Sequence, residues 1–466
     1  MKSDQERRSF LKKGLLGGMS LYGFSKNQQP DAPDYDNIPG FHSPPAVGKS
    51  VIDLKVAPIK QVKVGLIGIG ARGSGHVMQF ASLFPDKAKV TAVCDIQPDR
   101  ADKAVAKLKA KGQDAVAYSG KVDSWKEMVK RDDIDLVVIA TPWRDHVPMA
   151  VYAMKQGKHV VIEVPAALTL EECWQLVNTA EETQRNCMMM ENVCYGDEEL
   201  WLLNMVQQEV FGTLTYAEAA YIHNLNDYLL DTKGYYDFWR LKENIAHDGN
   251  LYPMHGLGPV AQYLDILRGD RFEHIVSMSS LEAALSESIK KLPSDHPYAN
   301  FKGTIHKGDM NTSLIKTNKG RMITLKHDVV SPRAYDRINS LAGTHAYHEG
   351  YPSRLSVLGK GHDFLKEADY SEYKSKYKHP IWDKLKKEIE VNGGHGGMDF
   401  VLIYRIIDSL NNGRPMDMDV YDAATWCSVI PLSEVSVKKG NAPVKFPDFT
   451  RGAWQKKREL NIMTSL

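Results

Sequence analysis

The stretch VKVGLIGIGARGSGHV, residues 62–77, decides the fold of this chain. An apolar run is followed by the spacing GxGxxG, with glycines at Gly68, Gly70 and Gly73. Gly68 permits a tight turn, Gly70 lets the backbone approach a pyrophosphate, and Gly73 allows a helix to pack closely on the preceding strand. Because a helical pattern follows, and helix N-termini attract phosphate, the stretch predicts a dinucleotide site. The alternative is a strand-to-helix turn that binds no ligand.

A carboxylate after the second apolar run identifies the expected cofactor. The run AKVTAVCD ends at Asp95, about 20 residues beyond the glycines, where an acidic side chain binds the adenosine ribose hydroxyls. An aspartate there repels a 2′-phosphate, so the sequence predicts NAD rather than NADP. We expect Ala71 and Arg72, inside the glycine loop, to contact the cofactor as well.

Strand-like and helix-like segments then alternate up to about residue 190. The runs IDLVVIATP and KHVVIEVP are apolar, and helical patterns cover the segments between the runs, at 73–83, 98–111, 123–131 and 144–156. This alternation predicts an α/β fold, with a doubly wound parallel Rossmann sheet over residues 61–190. Glu163 ends the second run, at the sheet edge where ligands bind, and we expect it to face sugar or ribose hydroxyls. The alternative for Glu163 is an exposed strand-end carboxylate.

The pattern changes in the second half of the chain, residues 191–466. Shorter strand-like runs such as TLTYAEAAYI, TSLIKT and RMITLKHDVV are separated by turn residues, and helical patterns follow at 397–411 and 420–438. This spacing predicts an α+β domain with a largely antiparallel open sheet. We interpret the half as the substrate-binding domain.

The first 60 residues carry a different signal. ERRSFLKKGLLGGMSLYGF places Arg7 and Arg8 before a modest apolar segment, which is typical of a twin-arginine export signal over residues 1–30. A basic amphipathic start without a targeting role is the alternative. Residues 31–60 are rich in Pro, Asp and Gly, and they predict an extended arm rather than a packed element. The expected location is the periplasm.

Composition narrows the class of protein. The chain has 466 residues, which favours two domains, and its net charge of +1 gives no footprint for nucleic acid. Its five cysteines form no CxxC, no His/Asp/Glu cluster has metal-ligand spacing, and no run after the first segment is apolar enough to span a bilayer. We therefore predict no metal site and no transmembrane span, and a homodimer or higher homo-oligomer stays open.

The segment DGNLYPMHGLGPVAQYLDIL supplies the strongest catalytic candidate, His255. Asn250 is the expected N-cap and Pro253 suits the first turn, so Tyr252 and His255 share a face near the start of a helix. The helix dipole there favours a neutral imidazole, which can accept a proton. A packed structural histidine is the alternative.

Further candidates come from other segments of the second half. Tyr195 in ENVCYGDEEL follows a strand-like run and is a candidate base, which requires a nearby positive charge, and the alternative is a packed aromatic ring. Arg240 can hold sugar oxygens through its planar fork, and Tyr335 is a weaker substrate contact. His395 and Asp399 belong to the site or to the domain contact, and the sequence does not decide between these roles.

Several of these strings resemble a known superfamily. GxGxxG, Thr141-Pro142 with His146, and GKHVVIEVP are similar to the glucose–fructose oxidoreductase, inositol dehydrogenase and rhizopine-catabolism superfamily. Most of its dehydrogenases read E-K-P, where the lysine assists proton transfer, but this chain has Val164. The resemblance implies that Thr141, His146, Glu163 and Asn192 face NAD.

Val164 and five longer strings indicate a narrower family within this superfamily. The chain resembles glycoside hydrolase family 109, the NAD-dependent α-N-acetylgalactosaminidases, through the strings EVPAAL, MMMENVCYGDEELWLLNMV, FGTLTYAEAAYIH, GNLYPMHGLGPVAQYLDILRGDRF and NGGHGGMDF. The resemblance implies oxidation at C3 of the sugar with His255 taking the hydroxyl proton, C2 deprotonation by Tyr195, elimination, water addition and re-reduction. It implies that Glu163, Tyr195, Arg240, Tyr252, His255 and Tyr335 contact the glycan.

Two other functions stay open at this point. One is an exported sugar oxidoreductase that uses a tightly bound NAD(P) with two sugars, which would form a net redox product. The other is a sugar-binding protein with a vestigial nucleotide fold, in which bound NAD would not react.

Overall fold

The structure is a computed structural model, and it describes residues 33–464. The predicted export signal at residues 1–30 therefore lies outside the described part of the chain. Two sheets organise the described residues, and each is built by one half of the sequence.

The first half forms a six-stranded sheet in which every neighbouring pair is parallel. Its order is β3-β2-β1-β4-β5-β6, from the strands Val62–Ile67 (β1), Ala88–Asp95 (β2), Val116–Ser119 (β3), Leu136–Ile139 (β4), His159–Ile162 (β5) and Cys187–Met189 (β6). The helices between them are Ala71–Ala81 (α1), Pro98–Ala110 (α2), Ser124–Val129 (α3), Trp143–Lys155 (α4) and Leu170–Thr183 (α5). All four residues of both β4 and β5 are buried, as strands covered on both faces must be. The predicted Rossmann sheet is confirmed.

The second half builds an eight-stranded sheet of order β13-β12-β11-β7-β10-β9-β8-β14. Its strands are Leu214–Ile222 (β7), Phe272–Ser279 (β8), Asn311–Thr317 (β9), Met322–Asp328 (β10), Ser340–Gly343 (β11), Ala346–Glu349 (β12), Arg354–Val357 (β13) and Val444–Lys445 (β14). The one parallel pair is β7 with β10, and every other pair is antiparallel. The prediction of a largely antiparallel sheet is confirmed. The parallel pair places Tyr221 directly opposite His327.

The second half also contributes helices around this sheet. They are Asp197–Gln207 (α6), Asn226–Leu230 (α7), Trp239–Ala246 (α8), Met254–Tyr263 (α9), Ala284–Lys290 (α10), Glu367–Lys376 (α11), Pro380–Lys384 (α12), Lys386–Asn392 (α13), Met398–Asn412 (α14), Val420–Cys427 (α15), Val429–Lys438 (α16) and Asn461–Thr464 (α17). The pattern at 420–438 thus covers two helices. Helix α9 begins at Met254, so Asn250 is not its N-cap. Asn250 instead accepts a hydrogen bond from the Tyr252 N–H at 3.2 Å.

The predicted arm is extended, but it packs against both halves. Trp174 Nε1 donates to the Gly40 carbonyl at 2.9 Å, and the Tyr421 hydroxyl meets Ser50 at 3.1 Å. The Ile59 N–H donates to the Leu410 carbonyl at 3.0 Å. Residues 33–60 thus bond to α5, α14 and α15, and the boundaries of the predicted arm stay a prediction. Among residues 33–464, no helix is long and apolar enough to cross a membrane.

Candidate active site

The glycine loop after β1 has the geometry that a dinucleotide requires. Gly68 has φ +86°, and a Cβ placed on Gly73 would lie 1.8 Å from the Gly68 carbonyl oxygen, so only glycine permits this contact between α1 and β1. Asp95 follows at the end of β2, where its carboxylate accepts hydrogen bonds from the N–H groups of Ile69 at 2.6 Å and Gln97 at 2.8 Å. These bonds fix Asp95 beside the loop, and the carboxylate retains lone pairs for ribose hydroxyls.

Asn192, at the other end of the same sheet edge, also has a group suited to binding NAD. It begins a short 3-10 helix, Asn192–Tyr195, directly after β6. Its Nδ2 donates to Asp399 Oδ1 at 2.6 Å, while its buried Oδ1 accepts no hydrogen bond from the described residues. A buried acceptor without a donor is costly, and a bound amide N–H would satisfy it. The residues present therefore fit NAD at both ends of its expected path.

Two side chains of its own domain hold Glu163, and its contact with sugar or ribose hydroxyls stays a prediction. Its carboxylate accepts from Arg72 Nε at 2.8 Å and pairs with His76 Nε2, and both partners belong to α1. Burial would raise the pKa of Glu163, but the Arg72 guanidinium and the His76 bond hold that pKa well below its usual range. Glu163 is thus a neutralised anchor under the glycine loop. The Val164 N–H donates to the same carboxylate at 3.2 Å.

His395 and Asp399, whose roles the sequence left open, lie at the contact between the two halves. Asp399 accepts from Arg72 Nη1 at 2.7 Å and Nη2 at 3.0 Å, and from His395 Nδ1 at 2.8 Å. Burial raises the pKa of Asp399, yet its hydrogen bonds from His395 and Arg72 hold the pKa far below normal. Arg72 therefore joins Glu163 of the first half to Asp399 at the start of α14. Its side chain is a domain bridge, and its contact with NAD stays a prediction.

His146 is also a structural residue in this geometry. It is buried, and its two ring nitrogens each lie 2.8 Å from a backbone carbonyl, those of Thr141 and Pro165. Burial lowers the pKa of His146, so the neutral ring donates to one of these two carbonyls, which lie in the turns after β4 and β5. The contact of His146 with NAD stays a prediction. Thr141 directs its hydroxyl to Met149 Sδ at 3.7 Å.

The central feature of the site is a buried carboxylate bonded to His255. Glu191 follows β6 and is 0% exposed, and both of its oxygens meet His255 Nδ1, at 2.8 and 3.0 Å. An N–H on Nδ1 pointing at a carboxylate leaves Nε2 as the acceptor of the ring. Glu191 Oε1 also accepts from the Val193 N–H at 3.0 Å, which fixes the carboxylate itself. The first half thus supplies the carboxylate and the second half supplies the histidine.

Three side chains surround His255, and with it they form what we call the His255 cluster: Tyr221, Arg240, Tyr252 and His255. The Tyr252 and Tyr221 rings lie 4.9 and 5.4 Å from the His255 ring between centroids, and 4.7 Å from each other. The Arg240 guanidinium lies 4.8 Å from the Tyr252 ring centroid. The cluster places a proton acceptor, two hydroxyls and a fixed cation together.

A tryptophan of the first half closes one side of this cluster. Trp143 opens α4, and its ring centroid lies 5.8 Å from Tyr252 and 4.9 Å from Trp239. The Arg240 guanidinium lies 5.2 Å from the Trp143 ring centroid. On the other side, Tyr335 lies 6.2 Å from Tyr221 and is 38% exposed. The two domains therefore both contribute walls to one site.

Tyr195 makes its side-chain hydrogen bond away from this cluster, and its role as a base stays a prediction. Its side chain is 1% exposed, and its hydroxyl donates to Asp417 Oδ2 at 3.1 Å. Asp417 also pairs with Arg405, at 2.6 Å. Burial raises the pKa of Tyr195 well above its usual range, and the Asp417 carboxylate raises it further. In this geometry the Tyr195 hydroxyl is a hydrogen-bond donor.

Sequence reasoning missed Glu191, Tyr221 and Trp143. Glu191 had a usable signal, because an acidic residue ends the apolar run CMMM at the ligand edge of the sheet, as Glu163 does. Trp143 lies between Thr141 and His146, which were singled out. Tyr221 had no signal of its own, since an aromatic residue in an alternating strand is expected to pack. Within residues 33–464, no group of three or more His, Cys, Asp or Glu side chains could hold a metal ion.

Comparison with protein families assigns both halves of the chain. Residues 195–456 match the model for the glycosyl hydrolase 109 C-terminal domain, and residues 62–191 match the oxidoreductase family model with an NAD-binding Rossmann fold. The chain belongs to glycosyl hydrolase family 109. The predicted resemblance is confirmed, and this family member is an NAD-dependent glycoside hydrolase whose cofactor is NAD.

Individual relatives span nearly the whole chain. A glycosyl hydrolase family 109 protein of Shewanella pealeana is 45% identical over 463 residues, which cover 98% of this chain and 99% of the relative. A protein of Shewanella oneidensis named alpha-N-acetylgalactosaminidase is 47% identical over 426 residues, covering 90% and 92%.

Solved structures share the fold at low sequence identity. Levoglucosan dehydrogenase in complex with NADH and L-sorbose has a TM-score of 0.64 at 17% identity, covering 84% of this chain and 100% of that chain. An NAD-binding oxidoreductase from Klebsiella pneumoniae has a TM-score of 0.63 at 18% identity, covering 83% and 99%. Both show that this two-domain architecture is shared with oxidoreductases.

Proposed function

We propose that this family 109 protein is an exported glycosidase that removes terminal α-linked N-acetylgalactosamine, or a related N-acetylhexosamine, by oxidation and elimination. The observation that carries the proposal is the Glu191–His255 pair inside an aromatic cluster at the ligand edge of the NAD-binding sheet. The Shewanella oneidensis relative named alpha-N-acetylgalactosaminidase supports the sugar.

His255 begins the proposed reaction as the base at the C3 hydroxyl. Bound NAD supplies a reversible hydride acceptor for C3. His255 Nε2 takes the hydroxyl proton, and the carboxylate of Glu191 on Nδ1 stabilises the imidazolium that forms. Arg240 Nε is buried and makes no hydrogen bond within the described residues, so it is a free donor for a sugar oxygen.

Tyr221 replaces Tyr195 as the proposed base at C2. A ketone at C3 makes the C2 hydrogen acidic, and removal of that proton expels the aglycone from C1. Burial raises the pKa of Tyr221, while the Arg240 guanidinium opposes that rise by favouring the phenolate. Water then adds at C1 and releases one proton, which balances the proton taken up by the aglycone oxygen. Tyr221 returns a proton to C2, and His255 returns the proton at C3 when the ketone is reduced. The net reaction is hydrolysis.

This reaction differs from that of a sugar oxidoreductase in its products. A panel of p-nitrophenyl α- and β-glycosides of N-acetylgalactosamine and N-acetylglucosamine, with and without added NAD, tests the proposal. We expect p-nitrophenol from the α-N-acetylgalactosaminide and no net NADH. Accumulating NADH with an oxidised sugar, and no p-nitrophenol, would favour the oxidoreductase instead.

Two observations support export. One is the Arg7-Arg8 pair, and the other is that the proposed reaction regenerates its NAD in each turnover. A hydrolase that restores its NAD in each turnover needs no external supply, so it can work in the periplasm after folding around NAD in the cytoplasm. Replacing both Arg7 and Arg8 with Lys should retain the protein in the cytoplasm, as cell fractionation would measure. A matched control, Lys12→Arg with Lys13→Arg, keeps the charge and should be exported. Unchanged periplasmic recovery of the twin-lysine variant would refute the export proposal.

A further inference from the structure

A cavity of about 570 Å³ lies next to the His255 cluster but outside it. It is lined by Arg333, Ala334, Tyr335, Asp336, Tyr351 and Pro352. The Asp336 backbone bridges Ile222 at the end of β7, one residue after Tyr221. The cavity therefore begins where the His255 cluster ends, and its volume is in the range of small-ligand sites.

Two tyrosine rings dominate the walls of this cavity. Tyr335 is 38% exposed and Tyr351 is 40% exposed, and their ring centroids lie 6.3 Å apart. Both rings therefore present part of their faces to a ligand in the cavity. The charged residues Arg333 and Asp336 share the lining, so the cavity combines aromatic faces with polar groups.

A buried arginine holds both rings in place. The Arg337 guanidinium lies 5.5 Å from the Tyr335 ring centroid and 5.4 Å from that of Tyr351. Its Nη1 donates to the Tyr335 hydroxyl at 3.0 Å, and its Nη2 donates to Glu199 Oε1 at 2.7 Å. Because Arg337 and Glu199 are both buried, they hold the Tyr335 and Tyr351 rings in place before a ligand binds. A preorganised surface loses little entropy on binding.

The backbone at Tyr351 is consistent with a functional constraint. Its φ is +58°, a left-handed conformation that a bulky residue rarely adopts. Such strain persists where the surrounding structure requires the side chain in one position, and it clusters at ligand sites.

We propose that the cavity between Tyr335 and Tyr351 is a subsite for the aglycone, and that it binds the sugar unit to which the cleaved residue is attached. The proposal rests on the proposed function, since it assumes that the terminal sugar occupies the His255 cluster. One face of a pyranose carries C–H groups with a positive partial charge, and the negative face of a tyrosine ring attracts them. The hydroxyls at the pyranose rim match Arg333 and Asp336. A lipid chain would find no apolar channel among these residues.

Two substrates that share the terminal sugar but differ in the aglycone measure how much the subsite contributes to kcat/KM. The first is methyl α-N-acetylgalactosaminide, and the second is the trisaccharide with α-N-acetylgalactosamine on lactose. Tyr351→Ala should lower the ratio of kcat/KM for the trisaccharide to that for the methyl glycoside about tenfold, which is the size of one aromatic contact. Most of the change should be in KM. Tyr351→Phe retains the ring and should keep the ratio within about twofold of wild type.

Tyr347→Ala is the matched control, because Tyr347 lies outside the cavity and contacts Phe364 at 6.2 Å between centroids. It should leave the ratio unchanged. Equal losses on both substrates in Tyr351→Ala, or no loss on the trisaccharide, would overturn the proposal.

A binding measurement separates this proposal from the proposed function. Saturation-transfer NMR with lactose, the released aglycone, should show contact with wild type and with Tyr351→Phe, and much less with Tyr351→Ala. This signal needs no catalysis, so it survives if the reaction is not hydrolysis. If lactose gives the same signal with Tyr351→Ala as with wild type, or none with wild type, the subsite is refuted whatever the reaction.

Discussion

Glu163 and Glu191 follow neighbouring parallel strands, and both are buried, yet the structure uses them differently. Glu163 pairs with Arg72 and His76 of its own domain, whereas Glu191 pairs with His255 of the other domain. The first carboxylate is neutralised by a permanent cation. The second is bonded to the imidazole of His255.

This difference teaches that position at the ligand edge does not define a catalytic role. A carboxylate locked to a guanidinium stabilises the loop around it, and its proton affinity is too low for acid–base work. A carboxylate bonded to an imidazole can stabilise a transient positive charge. Both glutamates meet an imidazole, His76 for Glu163 and His255 for Glu191, but Glu163 is also paired with the permanent Arg72 cation. The permanent cation therefore separates the anchor from the positioning residue.

Glu191→Gln should produce the largest effect. The amide keeps an acceptor for the Val193 N–H but carries no charge to stabilise an imidazolium on His255. We expect kcat to fall about 10²-fold, with KM and the amount of bound NAD changed by less than about twofold. Steady-state kinetics and nucleotide release after denaturation measure both quantities. Glu191→Asp should recover part of kcat, and a loss confined to KM or to NAD content would contradict the positioning role.

Glu163→Gln should act on stability instead. The change leaves the Arg72 cation with one carboxylate partner fewer, and we expect a loss of about 3 kcal/mol in the free energy of unfolding at pH 7. The folded pKa of Glu163 lies below its unfolded value of about 4.3, so its stabilisation is complete above that value and declines as pH falls below it.

Denaturant unfolding of wild type and Glu163→Gln at pH 7, 4 and 3 checks this expectation. The difference between the two proteins should shrink toward the lowest pH. A difference that grows with acidity would show that Glu163 is protonated in the folded protein. Activity per bound NAD should change less than in Glu191→Gln, which is the direct comparison of the two glutamates.

Compared with the two glutamate substitutions, Tyr195→Phe should have the smallest effect on the protein. Asp417 keeps its two hydrogen bonds from Arg405, at 2.9 and 2.6 Å, so the lost hydroxyl should cost about 1 kcal/mol of stability. We expect kcat to change less than about threefold, far below the 10²–10⁴-fold typical of a general base. Tyr221→Phe is the matched variant and should show the larger loss of kcat. A larger loss of kcat in Tyr195→Phe than in Tyr221→Phe would indicate that Tyr195 is the base.

The fold was predictable because its signals are local. GxGxxG after an apolar strand, and Asp95 at the end of the next strand, need only the covalent spacing of the chain. The sequence also allowed prediction of four site residues that lie in distinctive strings: His255, Arg240, Tyr252 and Tyr335. Their catalytic roles stay predictions.

The partners of these residues could not be predicted, because they come from distant segments. Arg72 meets Asp399, which is 327 residues away, and His255 meets Glu191 across the domain contact. Tyr195 illustrates the reverse case: its position after a strand suggested a site, but its side chain points to Asp417 in the core. Only tertiary structure distinguishes a residue at a site from one beside it.

The most direct test of the account is the fate of the C2 hydrogen of the sugar. Oxidation at C3 followed by elimination must break C2–H, whereas displacement by a pair of carboxylates leaves that bond intact. We predict that hydrolysis in D2O places deuterium at C2 of the released sugar, detected by NMR, with transient reduction of bound NAD. Hydrolysis by protein stripped of NAD, with C2 still fully protonated in D2O, would contradict the account.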